Sequence, residues 1–176
     1  LLGDEHFESP DWLEPTADAR LRNRQADADD LLLVYTSGTT GEPKGAIHTQ
    51  AAMLANIDAA IEAQGFDEHT RCLAVLPMFH VGGLNIQTTP ALRAGASVSL
   101  HARFEAQATL DAIERERITL TVLVPAQLEA MMALPGWRSA DLSSLRVITT
   151  GSTIVSAAFM RRVSERGVPL IQVYGA

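Results

Sequence analysis

The sequence contains only one cysteine, Cys72, and only one lysine, Lys44, among its 176 residues. With a single thiol the chain cannot form an internal disulfide, which favours a protein of the reducing cytoplasm over a disulfide-stabilised secreted one. No apolar run approaches the ~20 residues needed to cross a bilayer, and no transmembrane segment is predicted. The other thirteen basic residues are all arginines, so Lys44 is a position at which a compact ammonium group is expected to matter.

Basic clusters are also missing, and the negative charge is concentrated in the first part of the chain. The net charge is −7, and residues 1–30 carry nine acidic side chains against three arginines. The rest is nearly neutral and shows no basic face, so a nucleic-acid partner is not expected. We predict an acidic arm or loop over residues 1–30, interrupted by Pro10 and Pro15, and a folded domain over residues 31–176.

Apolar runs alternate with helical patterns over residues 31–176. Strands are predicted over residues 31–35, 72–76, 96–100, 120–124, 145–149 and 170–174. Cys72 begins the second of these apolar runs and is expected to lie in the core. Helices are predicted over residues 49–64, 83–94, 105–116, 125–133 and 155–166, with glycines where three of them should stop: Gly65, Gly95 and Gly167. Strands separated by about ten to fifteen helical residues indicate right-handed crossovers. The expected fold is therefore α/β, with a mainly parallel sheet flanked by helices.

The carboxyl ends of the predicted parallel strands identify four candidate ligand-binding segments. In open α/β sheets, ligands bind in the loops at that edge. The segments are residues 36–45, 77–83 and 150–153, and the end of the chain at Gly175.

Residues 36–45 have the composition of a polyphosphate-binding loop. Three glycines allow a sharp turn and a close approach of backbone N–H groups to a ligand: Gly38, Gly41 and Gly45. Four hydroxyl groups are available to phosphate oxygens: those of Thr36, Ser37, Thr39 and Thr40. Lys44 adds a positive charge. The spacing is not that of a Walker loop, and from composition alone a flexible surface turn between two strands is the alternative interpretation.

The string Thr36-Ser-Gly-Thr-Thr-Gly-Glu-Pro-Lys-Gly45 resembles the phosphate-binding signature of the adenylate-forming superfamily. This superfamily includes acyl- and aryl-CoA synthetases, among them fatty-acid–CoA ligases, as well as luciferases and the adenylation domains of peptide synthetases. The resemblance implies an acyl-CoA synthetase-like enzyme that uses a carboxylic acid, ATP, Mg²⁺ and coenzyme A. It also implies contacts to the ATP phosphates from Thr36, Ser37, Gly38, Thr39, Thr40, Gly41 and Lys44.

The segment Leu76-Pro-Met-Phe-His-Val-Gly-Gly83 resembles the second signature of this superfamily. The resemblance implies that His80 borders the pocket for the carboxylate. A histidine after an apolar strand is otherwise typical of a satisfied turn residue.

The segment Thr150-Gly-Ser-Thr-Ile-Val155 stands where acyl-CoA ligases usually show Gly-Gly-Ala-Pro-Leu. By position, the resemblance implies that Gly151, Ser152 and Thr153 lie beside the adenine and acyl pockets, although Ser152 and Thr153 depart from the usual residues. Without the resemblance, the segment predicts a strand-to-helix turn with a serine cap.

The string Gln172-Val-Tyr-Gly-Ala176 resembles the beginning of a further signature, Tyr-Gly-x-Thr-Glu. The resemblance implies that Tyr174 stacks on adenine and that Gly175 belongs to the same site. Taken alone, a tyrosine at a strand end is typical of the core.

The resemblance covers most of residues 26–176 and corresponds to the middle of the large N-terminal domain of such an enzyme. The glutamate that holds magnesium and the catalytic lysine are expected beyond Ala176, so no catalytic or metal-binding residue is assigned here, and the 176 residues alone are expected to be inactive.

One alternative is an adenylation domain that loads a carrier protein, although no aspartate suited to a substrate ammonium stands near residues 79–83. Another is a nucleotide-binding fragment without turnover. The sequence leaves the acid and the oligomeric state open.

Overall fold

The computed structural model describes residues 29–36 and 42–174. The secondary-structure elements follow one another as β1 (Asp30–Thr36), β2 (Lys44–Thr49), α1 (Gln50–Gln64), β3 (Arg71–Ala74), α2 (Val81–Gly83), a π-helical turn (Leu84–Thr88), α3 (Thr89–Arg93), β4 (Ser97–Leu100), α4 (Ala106–Arg115), β5 (Leu120–Val122), α5 (Pro125–Met132), a 3-10 turn (Pro135–Arg138), β6 (Val147–Thr150), α6 (Ala157–Ser164) and β7 (Leu170–Gln172). The predicted acidic arm lies outside the described residues except for its last two, and β1 begins at Asp30.

Five strands form one parallel sheet in the order β4-β3-β5-β6-β7. Cys72 of β3 is level with Val98 of β4 on one side and with Leu120 of β5 on the other. The chain passes from β3 outward to β4 and then back across β3 to β5, so the direction of winding reverses between β3 and β5. The predicted α/β fold with a parallel sheet is confirmed.

Helices cover both faces of this sheet. The larger hydrophobic cluster joins α4, α5 and α6 to one face and includes the buried side chains of Leu73 and Ile148. The smaller cluster packs Ala91 of α3 against Cys72 and Leu120. Because successive side chains of a strand point to opposite faces, neighbouring residues of β3 serve different clusters. Burial on both faces is the usual state of a parallel sheet.

The first strand is not part of the parallel sheet. β1 pairs antiparallel with β2, and in their register Thr36 is opposite Lys44 and Tyr35 is opposite Gly45. The sequence did not predict β2, and the expectation that residues 31–35 join the parallel sheet is wrong. Only residues 37–43 separate the two strands, and a parallel pair needs a crossover of about a dozen residues or more.

The predicted helix over residues 83–94 is built from three pieces. The short α2 leads into the π-helical turn and then into α3. Pro90 lies at the start of α3 and has no N–H, so the carbonyl group of Ile86 cannot receive the usual bond from four residues ahead. The missing N–H of Pro90 is the physical reason why the structure differs here from the single continuous helix that was predicted.

The boundaries of the other predicted helices and strands differ from the observed ones by only a few residues. Thr49 is the N-cap of α1 rather than its first residue, and its side chain accepts a hydrogen bond from the Ala52 N–H at 3.2 Å. The predicted helix-stop glycines have φ angles of 66°, 77° and 76°, as the left-handed conformation requires: Gly65, Gly95 and Gly167. The 3-10 turn after α5 was not predicted.

Cys72 lies in the core, as its position in an apolar run predicted. The residue has no exposed surface, and burial raises the pKa of its thiol to about 12. Among the described residues, no helix is both long and apolar enough to cross a membrane.

Candidate functional site

Three of the four predicted ligand-binding segments follow strands of the same parallel sheet. His80 follows β3, the 150–153 loop begins at the last residue of β6, and Tyr174 follows β7. Since β3, β6 and β7 are parallel, their carboxyl ends lie on one edge of the sheet. The fourth segment connects the strands of the antiparallel hairpin.

His80 is the N-cap residue of α2. The N–H of Gly82 donates to its Nδ1 at 3.0 Å. Because Nδ1 accepts this bond with its lone pair, the ring proton of the neutral imidazole is on Nε2. The hydrogen bond at Nδ1 fits the interpretation of His80 as an ordinary turn residue. The residue as a whole is nevertheless exposed. Its role beside a carboxylate pocket stays a prediction.

The helical segment after His80 inserts a side chain where the winding of the sheet reverses. β3 and β5 pair through only two residue pairs. The carbonyl oxygen of Leu73 then accepts from the side-chain amide of Gln87 at 3.0 Å and from the hydroxyl of Thr121 at 2.9 Å. The fully buried Gln87 thereby attaches the π-helical turn to β3. No local sequence pattern identified this residue.

The 150–153 loop has an unusual backbone. Ser152 has a φ of 74°, in the left-handed region that favours glycine. The side-chain amide of Gln172 donates to the carbonyl oxygen of Thr153 at 3.0 Å and holds the loop to β7. A serine cap exists, but it is Ser156, whose hydroxyl accepts from the Phe159 N–H at 3.2 Å.

Tyr174 is fully exposed, so its interpretation as a core residue is wrong. The N–H of Val173 donates to the carbonyl oxygen of Thr150 at 2.8 Å, which keeps the chain after β7 beside the end of β6. Gly151 adjoins the same segment after β7, because a Cβ atom there would lie 3.2 Å from the carbonyl oxygen of Val173. The segments that follow β6 and β7, at residues 150–153 and 173–174, are therefore in direct contact.

Lys44 is the first residue of β2 and is exposed. The structure thus assigns it to a strand, although the sequence analysis placed it in a loop. The other predicted phosphate contacts, at residues 37–41, and Gly175 lie outside the described residues. The phosphate-binding roles of Thr36, Lys44 and the residues between them stay predictions.

Two open clefts lie near this edge. One, of about 430 Å³, is lined by residues that follow β3 and β4, including Phe79 and Arg103. The other, of about 360 Å³, lies between α5 and the start of α6 and includes Ile154. Neither cleft is lined by His80, Ser152 or Thr153. Nothing in the sequence marked the residues after β4 as a cleft wall, because that loop carries no recognisable motif.

The described residues contain no cluster of side chains typical of a metal centre. Within residues 29–36 and 42–174, no three side chains of His, Cys, Asp or Glu come together.

Comparisons with known proteins agree on the family. The family model for AMP-binding enzymes matches residues 3–176. The indoleacetate–CoA ligase of Aromatoleum aromaticum is 59% identical over 165 residues, which are 93% of this chain and 32% of that protein. A feruloyl-CoA synthase from an Amycolatopsis species is 41% identical over 147 residues, 84% of this chain and 30% of that protein.

A solved structure shows the same fold. The inhibitor-bound N-terminal domain of FACL13 from Mycobacterium tuberculosis superposes with a TM-score of 0.72 at 29% identity, covering 84% of this chain and 37% of that one. The chain thus spans about a third of the length of the curated relatives that it matches. From the match over residues 3–176 and the identity to these ligases, the chain belongs to the AMP-binding enzyme family, as its signatures predicted.

Proposed function

We propose that the full-length protein is an AMP-forming acid–thiol ligase that activates an aromatic carboxylic acid and transfers it to coenzyme A. The observation that carries this proposal is the location of His80, the 150–153 loop and Tyr174 at one edge of the parallel sheet. Family membership and the identity to an indoleacetate–CoA ligase and a feruloyl-CoA synthase support the reaction class. Those two names favour an aromatic acid over a fatty acid. A cytoplasmic location is part of the same proposal.

In the first half of the proposed reaction, a carboxylate oxygen attacks the α-phosphorus of ATP and pyrophosphate leaves, giving an acyl-adenylate. In the second half, the thiol of coenzyme A attacks the acyl carbon and AMP leaves. The protein has to offset the charge that develops on pyrophosphate, and the ammonium group of Lys44 and the N–H groups of residues 36–45 are suited to this task. No nucleophilic side chain is required, which agrees with the complete burial of Cys72.

His80 is suited to the acid side of this site. With Nδ1 occupied by the Gly82 N–H, only Nε2–H is available to an incoming oxygen atom. We propose that this group donates to the carboxylate and orients it for attack. Ser152 and Thr153 would lie along the acyl group, and Tyr174 would stack on adenine.

The test is carboxylate-dependent exchange between ATP and pyrophosphate in the full-length protein. A panel of indole-3-acetate, ferulate, benzoate, fatty acids, dicarboxylic acids and amino acids covers the substrate classes. Exchange with the aromatic acids, followed by thioester formation with coenzyme A, is the expected result. The 176-residue chain serves as a control and is expected to show no exchange.

The other outcomes identify the alternatives. Exchange with an amino acid, and transfer only to a phosphopantetheinyl carrier protein, would indicate an adenylation domain. ATP binding without exchange for any acid would contradict the proposal and indicate a nucleotide-binding protein without turnover.

A further inference from the structure

Gln64, the last residue of α1, connects two elements that adjoin predicted ligand-binding segments. Its Nε2 donates to the main-chain oxygen of Ile86 at 3.3 Å. Its Oε1 accepts from the hydroxyl of Thr149 at 3.0 Å. Ile86 lies in the π-helical turn that follows His80, and Thr149 directly precedes the 150–153 loop. One side chain therefore bridges the turn that follows the first segment and the strand that leads into the second.

The sequence of the helix explains why Ile86 takes a donor from outside. In an α-helix its carbonyl group would accept from the N–H four residues ahead. That residue is Pro90, which has no N–H. The π-helical turn closes through a different bond, from the N–H of Thr89 to the carbonyl of Leu84. The side-chain amide of Gln64 therefore donates to a carbonyl group that lacks its usual α-helical donor.

The orientation of the amide follows from its partners. A carbonyl oxygen only accepts hydrogen bonds, so the nitrogen of Gln64 faces Ile86 and its oxygen is left for Thr149. Thr149 is fully buried, and both bonds are partly shielded from water. A planar group with a bond at each end holds the π-helical turn and β6 at one separation.

We propose that Gln64 is a positioning residue that sets the distance between the His80 turn and the 150–153 loop, and thereby the orientation of the bound acid. This inference rests on the proposed function, since that function places the acid between these two segments. Gln64 itself touches no reacting group. Neither of its bonds involves the hairpin that carries Lys44, so its loss should affect binding of the acid more strongly than binding of ATP.

Three variants of the full-length protein test this bridge by ATP–pyrophosphate exchange. Gln64→Ala removes both bonds, Thr149→Val removes one with little change of shape, and Gln64→Glu keeps the size of the side chain but loses the donor to Ile86. Each is expected to raise the KM for the acid by about tenfold, because small misplacements of reacting groups are costly. The KM for ATP should stay within about twofold of its original value.

The double variant Gln64→Ala/Thr149→Val should resemble the single variants, because changes that remove the same interaction are not additive. Asp58→Ala is the matched control. It removes the ion pair of α1 with Arg93 on α3, at 2.6 Å, without touching the bridge. Its acid KM is expected to be unchanged.

Additive effects in the double variant, equal changes in both KM values, or an equal effect of Asp58→Ala would overturn the inference. If the original protein shows no ATP–pyrophosphate exchange with any acid, the proposed function fails, and the bridge is then tested by amide hydrogen–deuterium exchange. Faster deuterium uptake in Gln64→Ala over both residues 86–91 and residues 150–153 would support the bridge. Unchanged deuterium uptake over either range would reject it.

Discussion

Gly83 lies directly against the backbone of Pro77. A Cβ atom at Gly83 would come within 2.3 Å of the carbonyl oxygen of Pro77 and within 2.6 Å of that of Leu76. A backbone group cannot rotate away as the end of a side chain can. His80 lies between these residues in sequence and begins the helical turn, so the close contact constrains the turn that carries its imidazole.

Gly83→Ala is expected to lower the free energy of unfolding by about 3 kcal/mol, because the added methyl group forces the turn away from the backbone of Pro77. Urea denaturation measures the change. Gly136→Ala is the matched control, since a Cβ atom there meets only a side-chain atom of Leu110 at 4.0 Å. Equal stability of the two variants would contradict the contact.

Ser152→Gly is expected to stabilise the protein by about 1 kcal/mol relative to Ser152→Ala. The φ of 74° at this residue is unfavourable for any side chain and costs glycine little. Thermal unfolding of the two variants gives the difference. If Ser152→Ala is as stable as Ser152→Gly, the loop does not hold the left-handed conformation.

Lys44→Ala in the full-length protein is expected to lower the rate of ATP–pyrophosphate exchange by about 100-fold, because one donor to developing charge is lost. Stability should change by less than about 0.5 kcal/mol, because Lys44 is exposed. Lys44→Arg is the informative companion, since it keeps the charge and changes its shape. Unchanged exchange in Lys44→Ala would remove this residue from its proposed role.

Cys72 is expected to make the folded protein less stable at alkaline pH. Burial raises its pKa from 9.0 to about 12, so the folded state keeps the thiol neutral while the unfolded chain ionises first. The contribution of the buried neutral thiol to the free energy of unfolding is fully present below about pH 9 and is lost as the pH rises towards 12. Between pH 8 and pH 10 the loss is about 1 kcal/mol.

The measurement is the free energy of unfolding of the original protein and of Cys72→Ala at pH 8 and pH 10. The loss of about 1 kcal/mol should be missing from the variant. The same thiol should react with a thiol reagent only after denaturation, because reactivity requires an accessible thiolate. Rapid reaction in the native state would show that Cys72 is not buried.

Short stretches of sequence were enough to predict the family and much of the fold. The glycine at position 65 marks the end of α1 because only a residue without a side chain easily adopts its φ. Cys72 was assigned to the core from the apolar run around it. The signatures at residues 36–45 and 76–83 identified the family, since they consist of consecutive residues. Their ligand contacts stay predictions.

Other features depend on residues far apart in the chain. The sequence by itself determined the alternation of strands and helices, the helix-stop glycines and the family signatures, because hydrophobic period, allowed φ angles and motifs are local properties. Only the tertiary structure decided that β1 pairs with β2 and that Ser152 takes a left-handed φ. It alone decided the contacts of Gln64, whose partners lie 22 and 85 residues away. Such pairings arise when packed elements bring donors and acceptors together, which no local pattern specifies.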